Sequence, residues 1–474
     1  MRKLLQVEFA YLIIAASIAI WLLFTKVFIG VADNGDFLRI MGTAGLNYYD
    51  ALESYEDRFF SYAHINFAYD TILRLFYPST HIILVVVARF ISLIFNETAF
   101  DIRYLGAIYV VLLLTAGFIF IKYNKGKSLI TAIVIALLML FIFSDIGYLA
   151  YFNSFYGEPV SFVFLLLTLA LALMLTKQEN PSRKMLVLLF ISILFLVCSK
   201  TQNAPIGIVF SLLGLRYGWM KMDDLRWRRL AIILSIVTFL ISIFMYIAAP
   251  KDFKYINIYQ TVFFGILNGS PDVEGDLQQL GLPSKLSVLA GTNYFQDDTV
   301  IKQDDPSLTA DFYNKISHGD VLLFYMMNPA RLLGKMEYAA QNSMNIRAFY
   351  LGNYEKSEGN PAGAMYFEFS RWSELKRTYI PNTMWFITLF YILYYVVAAY
   401  EWLRSNHIRN RIAVELFIVL GLIGMFSFLI PIVGDGQADL SKHLFLFNVI
   451  FDMMIASAVI WIVTKVRSTK VDSS

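Results

Sequence analysis

Long runs of apolar residues, each close to the length that crosses a bilayer, recur from one end of this sequence to the other. The first occupies residues 8–30, and a membrane-spanning helix needs ~20 such residues. Hydrophobic residues make up 58% of the chain and charged residues 16%, with a mean hydropathy of +0.59. This composition excludes a water-soluble globule. The net charge of +3 is too small to indicate binding to nucleic acid. The sequence therefore predicts a polytopic membrane protein.

The basic residues predict which ends of the spans face the cytoplasm, because lysine and arginine concentrate in short cytoplasmic loops. Here they cluster around residues 122–125, 183–184, 216–229 and 404–411. We therefore expect both termini in the cytoplasm and about ten membrane-crossing segments. These are residues 8–30, 104–121, 128–144, a fourth segment that ends at 177, the short pair 185–197 and 205–215, then 230–249, 381–401, 412–431 and 444–464.

The apolar stretch 81–95 is not counted among these segments. It has only 15 residues and contains Arg89. If it crossed the membrane, every later basic loop would face outward, against the charge rule. We therefore expect a juxtamembrane or re-entrant helix at the outer surface.

This topology divides the chain into three parts. Residues 1–249 form a transmembrane module that contains a first outer loop at 31–103, and residues 381–474 form the C-terminal transmembrane helices. Between them, residues 250–380 are long enough for a small domain and contain turn signals such as Asn268-Gly269. The predicted fold is therefore an all-α polytopic bundle with outer juxtamembrane helices and a mixed outer loop domain.

Four polar motifs are predicted to lie at the outer ends of spans. They occupy residues 33–39, 145–158, 199–203 and 434–443, and they mix acidic, amide, basic and histidine side chains. Polar span ends are common in any membrane protein, but the predicted inner ends of this chain are simply basic. We therefore expect the four motifs to surround one cavity at the outer leaflet.

The residues available to that cavity favour transfer of a sugar from a lipid phosphate. The five histidines and the single Cys198 lack metal-ligand spacing, and the sequence has no phosphate loop or dinucleotide fingerprint. A phosphate leaving group needs no general acid, so one carboxylate base suffices. The cations available for the phosphate are Arg39, Lys200, Lys442 and His443. Each of these alone is more often a structural or snorkelling residue.

Three motifs in the same order give the chain a resemblance to a known family. They are Asn-Gly-Asp-Phe at 34–37, Asn-Ser-Phe-Tyr-Gly-Glu-Pro at 153–159, and Gly-Asp-Gly at 434–436 followed by Asp-Leu and Lys-His-Leu up to 444. With these motifs the chain resembles the polytopic GT-C glycosyltransferases, and among them the bacterial WsfD-like hexose transferases.

The resemblance implies an inverting hexosyltransferase of the bacterial plasma membrane that uses a polyprenyl-phosphate sugar donor and acts on the outer face. The acceptor would be a glycan or a lipid-linked sugar. Asp36 is favoured over Asp33 as the base, and the resemblance leaves open a divalent cation such as Mg or Mn. The residues expected to bind substrate are Arg39, Tyr156, Glu158, Lys200, Asn203, Asp435, Lys442 and His443.

A transporter or flippase of lipid-linked sugars is the alternative from another class. It would explain many spans and an outward cavity without catalysis. Carriers usually keep ionisable groups near the middle of the membrane, and here Asp452 is the clear acidic residue in such a position. A purely structural scaffold would leave the four outer motifs unexplained.

Overall fold

The computed structural model describes residues 2–25, 27–74, 76–126 and 128–472 and is mostly helical. In chain order its α-helices are α1 (Arg2–Phe24), α2 (Phe37–Ala44), α3 (Tyr55–Arg58), α4 (His81–Phe95), α5 (Arg103–Asn124), α6 (Leu129–Phe143), α7 (Ile146–Leu149), α8 (Glu158–Lys177), α9 (Arg183–Val197), α10 (Ile206–Gly218), α11 (Leu225–Ile247), α12 (Lys251–Tyr259), α13 (Val273–Gln279), α14 (Pro306–Leu308), α15 (His318–Met327), α16 (Pro329–Asn342), α17 (Arg371–Tyr379), α18 (Met384–Arg404), α19 (Ile408–Gly434), α20 (Leu440–His443) and α21 (Phe445–Asp472).

Shorter elements complete the connections. The strands β1 (Leu46–Tyr48), β2 (Asn66–Tyr69) and β3 (Phe100–Asp101) form an antiparallel sheet in the order β1-β2-β3, with Leu46 opposite Tyr69 and Phe67 opposite Phe100. The 3₁₀ turns are Ala150–Asn153, Thr201–Asn203, Trp219–Lys221, Ser284–Leu289 and Lys356–Glu358, and the π-helical stretches are Gln260–Ile266 and Thr309–Tyr313. The sheet lies within the first outer loop and pairs its middle with the residues just before α5.

Among the described residues, seven helices are long and apolar enough to cross a membrane, or eight if the bent pair 129–143 and 146–153 is one span. The chain is therefore a multi-pass membrane protein, but the expected count of about ten is not confirmed. The difference lies in α9 and α10, which have 15 and 13 residues. At ~1.5 Å rise per residue, neither reaches across a hydrocarbon core of ~30 Å.

The ends of the long helices explain where a site can form. Short connections join α5 to α6, α8 to α9, α10 to α11 and α18 to α19. Because antiparallel neighbours alternate in direction, the long loops and the break between α9 and α10 gather at the opposite end of the bundle. That end carries all four polar motifs. The assignment of this end to the outer face, and of both termini to the cytoplasm, stays a prediction.

Local sequence signals set several of these boundaries. Asp224 is the N-cap of α11, and its carboxylate accepts hydrogen bonds from the backbone N–H groups of Arg226 and Trp227. Pro159 lies in the first turn of α8, where its missing N–H costs nothing. Almost every residue of α8 is buried, so this helix is the centre of the bundle.

Helix α4 has the bounds expected for the apolar stretch after the first span. Its buried face carries His81, Val85, Ala88 and Ser92, whereas Ile83, Phe90 and Ile94 are exposed on other sides. At 15 residues it is too short to span. Its exposed apolar face suits the surface helix that the sequence predicts, although its position in a membrane stays a prediction.

The segment between α11 and α18 folds largely into short helices. A second apolar cluster, separate from the core of the bundle, is built from residues 258–325. Near the end of this segment, Lys376 of α17 contacts the bundle: it is fully buried and pairs with Asp452 of α21 at 2.5 Å. The division of the chain into three domains stays a prediction.

Candidate active site

A cavity of about 520 Å³ lies where the four polar motifs meet. Each motif contributes to its wall: the first through Asp36 and Arg39, the second through Tyr156 and Glu158, the third through Lys200, and the fourth through Asp435 and His443. The first and fourth motifs are about 400 positions apart in the chain. The fold therefore brings seven of the ten predicted site residues to one cavity, and Asp33, Asn203 and Lys442 lie behind its wall.

Asp36 is held between two cations. One carboxylate oxygen lies 2.7 Å from Nη1 of Arg39, and the other lies 2.5 Å from Nζ of Lys442, whose side chain is only 1% exposed. The Arg39 guanidinium also lies 3.6 Å from the ring centroid of Phe253. Burial opposes ionisation of Asp36, but the charges of Lys442 and Arg39 outweigh it and hold the pKa well below its usual range.

Asp33 does not line the cavity but is buried in the turn before α2. Its side chain is fully buried, and it accepts hydrogen bonds from the backbone N–H groups of Gly35 and Phe37 and from the Tyr48 hydroxyl at 2.6 Å. Gly35 has φ +98°, which a glycine adopts without strain, so this carboxylate closes the turn that leads into α2. Burial raises the pKa of Asp33 to about 6, although the hydrogen bond from Tyr48 opposes that change. Asp36, not Asp33, faces the cavity.

Glu158 and Lys200 form a second charged pair in the wall. Nζ of Lys200 donates to Oε1 of Glu158 at 2.7 Å, and the Glu158 side chain is 2% exposed. A Cβ on Gly157 would lie 2.6 Å from Cγ of Lys200, so only glycine allows this close approach. The other carboxylate oxygen of Glu158 is buried and has no hydrogen-bond partner among the described residues.

Asp435 and His443 form a third pair, which Gln202 completes. Nε2 of His443 lies 2.7 Å from the Asp435 carboxylate, and Nδ1 lies 3.1 Å from Oε1 of Gln202. The Gln202 amide also donates to the His443 backbone carbonyl at 2.9 Å. Burial raises the pKa of Asp435 above its usual value, and the neighbouring His443 opposes the rise. This chain of contacts fixes the orientation of the imidazole at the cavity wall.

Tyr156 and Asn203 connect the motifs. The Tyr156 hydroxyl donates to the Ala32 carbonyl at 2.7 Å and accepts from the Asn34 N–H at 2.9 Å, and its ring lies 5.0 Å from Nζ of Lys442. Asn203 is buried and donates to the hydroxyls of Ser161 and Ser199, outside the cavity wall. Its contacts order the break between α9 and α10.

The cavity also contains residues that sequence reasoning missed. They are Tyr77, three residues at the start of the 250–380 segment (Phe253, Lys254 and Ile258), and His318 at the start of α15. Burial lowers the pKa of His318. His318 directly follows Ser317, the N-cap of α15, so the sequence can place it at a helix start. Nothing in the sequence connects it with Asp435.

The carboxylates of this site do not fit a divalent cation. Among the described residues no three His, Cys, Asp or Glu side chains are grouped to hold a metal ion. Asp36, Glu158 and Asp435 each already face a nitrogen donor, and they lie in three separate pairs. Oxygen-rich Mg²⁺ or Mn²⁺ sites need converging carboxylates. No step of the chemistry below is therefore assigned to a metal.

Comparison with known proteins places the chain in a family. The family described as YfdI N-terminal transmembrane domain matches residues 1–473. "Uncharacterized protein YfdI" of Escherichia coli (strain K12) is 24% identical over 440 residues, which cover 90% of this chain and 86% of that protein.

A search of solved structures finds an archaeal oligosaccharyltransferase, AglB from Archaeoglobus fulgidus, in complex with an inhibitory peptide and a dolichol-phosphate. The TM-score is 0.42 at 13% identity, and the match covers 98% of this chain and 51% of that chain. The chain thus spans about half the length of that protein.

Proposed function

The chain belongs to the YfdI N-terminal transmembrane domain family, and from the geometry of its cavity we propose that it is an inverting GT-C-type glycosyltransferase of the bacterial plasma membrane. It moves a hexose from a polyprenyl-phosphate donor to a cell-surface glycan or glycolipid acceptor on the outer face. One observation carries the proposal: a single cavity combines an apolar wall with a cluster of cations around one accessible carboxylate.

The apolar wall suits the lipid part of the donor. It is built mainly from Ile40, Tyr77, Phe253, Ile258, Ile316, Ile430 and Val433. Tyr246, near the end of span α11, lines the cavity and is 58% exposed on the surface of the bundle. The cavity therefore opens beside a span, where a prenyl chain can remain in the bilayer while its phosphate enters.

The cations suit the phosphate. Arg39 and Lys200 lie in the wall, and Lys442 lies directly behind Asp36. Their charge-assisted hydrogen bonds would stabilise the negative charge that grows on the phosphate as it departs. In the reaction the acceptor oxygen bonds to C1 of the hexose, and the electrons of the C1–O bond leave with the phosphate. One displacement inverts the anomeric carbon.

Asp36 is proposed to take the proton of the acceptor hydroxyl. In the free protein its pKa is held low by Lys442 and Arg39, which makes it a weak base. A donor phosphate in the cavity would accept hydrogen bonds from Arg39 and Lys200, which line the wall, and its own negative charge would act on Asp36. The pKa of Asp36 would then rise toward the range of a useful base. Donor binding thus prepares the base for the acceptor.

The carrier alternative depends on Asp452, and the contacts of that residue do not favour it. Asp452 is fully buried, pairs with Lys376, and accepts hydrogen bonds from Tyr148 and Trp372. All these partners make it part of a fixed network. A carrier needs an ionisable group that can exchange its partner during transport.

The test uses purified protein, a radiolabelled polyprenyl-phosphate hexose and a solubilised membrane extract as the acceptor source. We expect label in glycan or glycolipid with the wild type and a loss of about 10²- to 10⁴-fold with Asp36→Asn. Equal transfer by both proteins would refute the assignment of Asp36. If the wild type transfers no label but moves the donor across reconstituted vesicles, the chain is a carrier.

A further inference from the structure

A second surface lies beside Asp36, outside the cavity that is assigned to the donor. It consists of Phe60, Tyr350 and Asp439, none of which lines that cavity. The exposed fraction is 39% for Phe60, 39% for Tyr350 and 40% for the Asp439 side chain. We name this group the aromatic shelf.

Direct contacts place the shelf next to the proposed base. Lys442 lies 2.5 Å from Asp36 and 3.8 Å from Asp439, so it bridges the two carboxylates. Asn34, two residues before Asp36, donates its side-chain amide to Asp439 at 3.0 Å. Burial and the charge of Asp439 raise the pKa of Tyr350, and the charge of Asp36 adds to this effect. The shelf and the cavity therefore lie on either side of the same carboxylate.

The backbone of the shelf includes two non-glycine residues with positive φ, Phe60 and Asp439. Phe60 has φ +66°, in the left-handed region that bulky residues avoid, and Asp439 has φ +45°, which aspartate adopts more readily. The Phe60 N–H donates to the Asp33 carbonyl, and the Phe60 carbonyl accepts from the Gly352 N–H, both at 2.8 Å. Strain of this kind persists where the surrounding structure fixes it, and it concentrates at functional sites.

We propose that the aromatic shelf binds the acceptor and that the acceptor is a carbohydrate. This inference rests on the proposed function. The rings of Tyr350 and Phe60, whose centroids lie 6.4 Å apart at 54°, cover the apolar face of a sugar. Asp439 accepts hydrogen bonds from its hydroxyls. A sugar held in this way presents another hydroxyl to Asp36, across from the C1 atom of the donor.

The test measures acceptor saturation separately from donor binding. Purified protein receives radiolabelled donor and increasing amounts of detergent extract from membranes that lack this chain. We expect Tyr350→Ala and Phe60→Gly to raise the half-saturating amount of extract by about two- to tenfold each, with an unchanged plateau. Phe60→Gly removes the ring and suits the positive φ, so this variant should fold at least as well. Tyr350→Phe keeps the ring but removes the hydroxyl that hydrogen-bonds Asp439, so its half-saturating amount should lie closer to that of the wild type than to that of Tyr350→Ala.

The control is Phe295→Ala, which removes an aromatic side chain that is 68% exposed and whose ring contacts Tyr294 and no residue of the shelf. Binding of undecaprenyl phosphate should be the same in all variants. Unchanged acceptor saturation in both shelf variants would overturn the proposal, as would a parallel loss of undecaprenyl phosphate binding. If the wild type itself transfers no label, the proposed function fails instead.

Discussion

Replacing Lys376 with methionine is expected to destabilise the protein strongly. Nζ of Lys376 lies 2.5 Å from Oδ1 of Asp452, and both side chains are 0% exposed. The other carboxylate oxygen accepts from the Tyr148 hydroxyl at 2.5 Å and from the Trp372 indole at 2.7 Å. Lys376 also donates to the Asn448 carbonyl. The substitution keeps the length of the side chain but leaves Asp452 as a buried carboxylate without its cation.

The magnitude follows from the desolvation of that carboxylate. Removing one partner of a fully buried ion pair lowers the free energy of unfolding by about 3–5 kcal/mol, because the remaining charge is neither solvated nor paired. The double variant Lys376→Met, Asp452→Asn removes both charges and retains an oxygen that accepts from Tyr148 and Trp372. We therefore expect it to recover more than half of the loss.

The single Cys198 provides the assay. It is buried in the folded protein and is the one cysteine of the chain, so its reaction with a fluorogenic maleimide during heating in detergent reports unfolding. Lys376→Met should lower the unfolding midpoint by several degrees, and the double variant should lie between it and the wild type. The control is Lys356→Met, which breaks an exposed pair with Asp57 and should leave the midpoint unchanged. A double variant no more stable than the single one would refute this explanation.

Three further predictions concern the site. Asp33→Asn should retain transfer within about tenfold of the wild type while Asp36→Asn loses it, because the amide oxygen introduced at position 33 still accepts from Gly35 and Phe37; comparable loss in both would make the turn itself essential. Since burial raises the pKa of Asp33 to about 6, the native state binds the extra proton, and stability falls as the pH rises from about 4 to 6. The unfolding midpoint of Asp33→Asn relative to wild type should therefore increase over that range, and a constant difference would contradict the shift. A chelator should leave the initial transfer rate unchanged, because each carboxylate of the site already pairs with a nitrogen donor. A loss of rate that Mg²⁺ or Mn²⁺ restores would instead support the divalent cation that the family resemblance leaves open.

Much of the fold could be predicted because membrane insertion follows local rules. Apolar length identifies the spans, and basic residues predict their orientation. These rules leave the count of spans unconfirmed at α9 and α10, which have 15 and 13 residues and pack beside the buried α8 and the exposed α11. A short apolar run gives no sign of whether lipid or protein will cover it.

The site shows the same division between local and distant information. The motifs that contain Asp36 and His443 are visible in the sequence, because charged and amide residues interrupt apolar runs there. The choice between Asp33 and Asp36 depends on Tyr48, which binds the first, and on Lys442, which binds the second. These contacts join residues that are up to 406 positions apart. Local sequence therefore predicts the candidates but cannot separate a turn-closing carboxylate from one that faces the cavity.

Pairs of lysine and carboxylate recur in this protein, and their surroundings determine what each can do. The pair Lys376–Asp452 is closed to solvent on both sides, so neither group can change its partner and the pair can only stabilise. In the pair Lys442–Asp36 the ammonium is 1% exposed but the carboxylate is 28% exposed and borders the cavity. The donor phosphate proposed above would therefore lie beside the carboxylate of this pair while the buried Lys442 stays behind it, and neither Lys376 nor Asp452 borders the cavity. A general base works best when its pKa lies near the operating pH, so a carboxylate that borders the cavity and can respond to a bound phosphate suits the role proposed for Asp36 better than the closed carboxylate of Asp452.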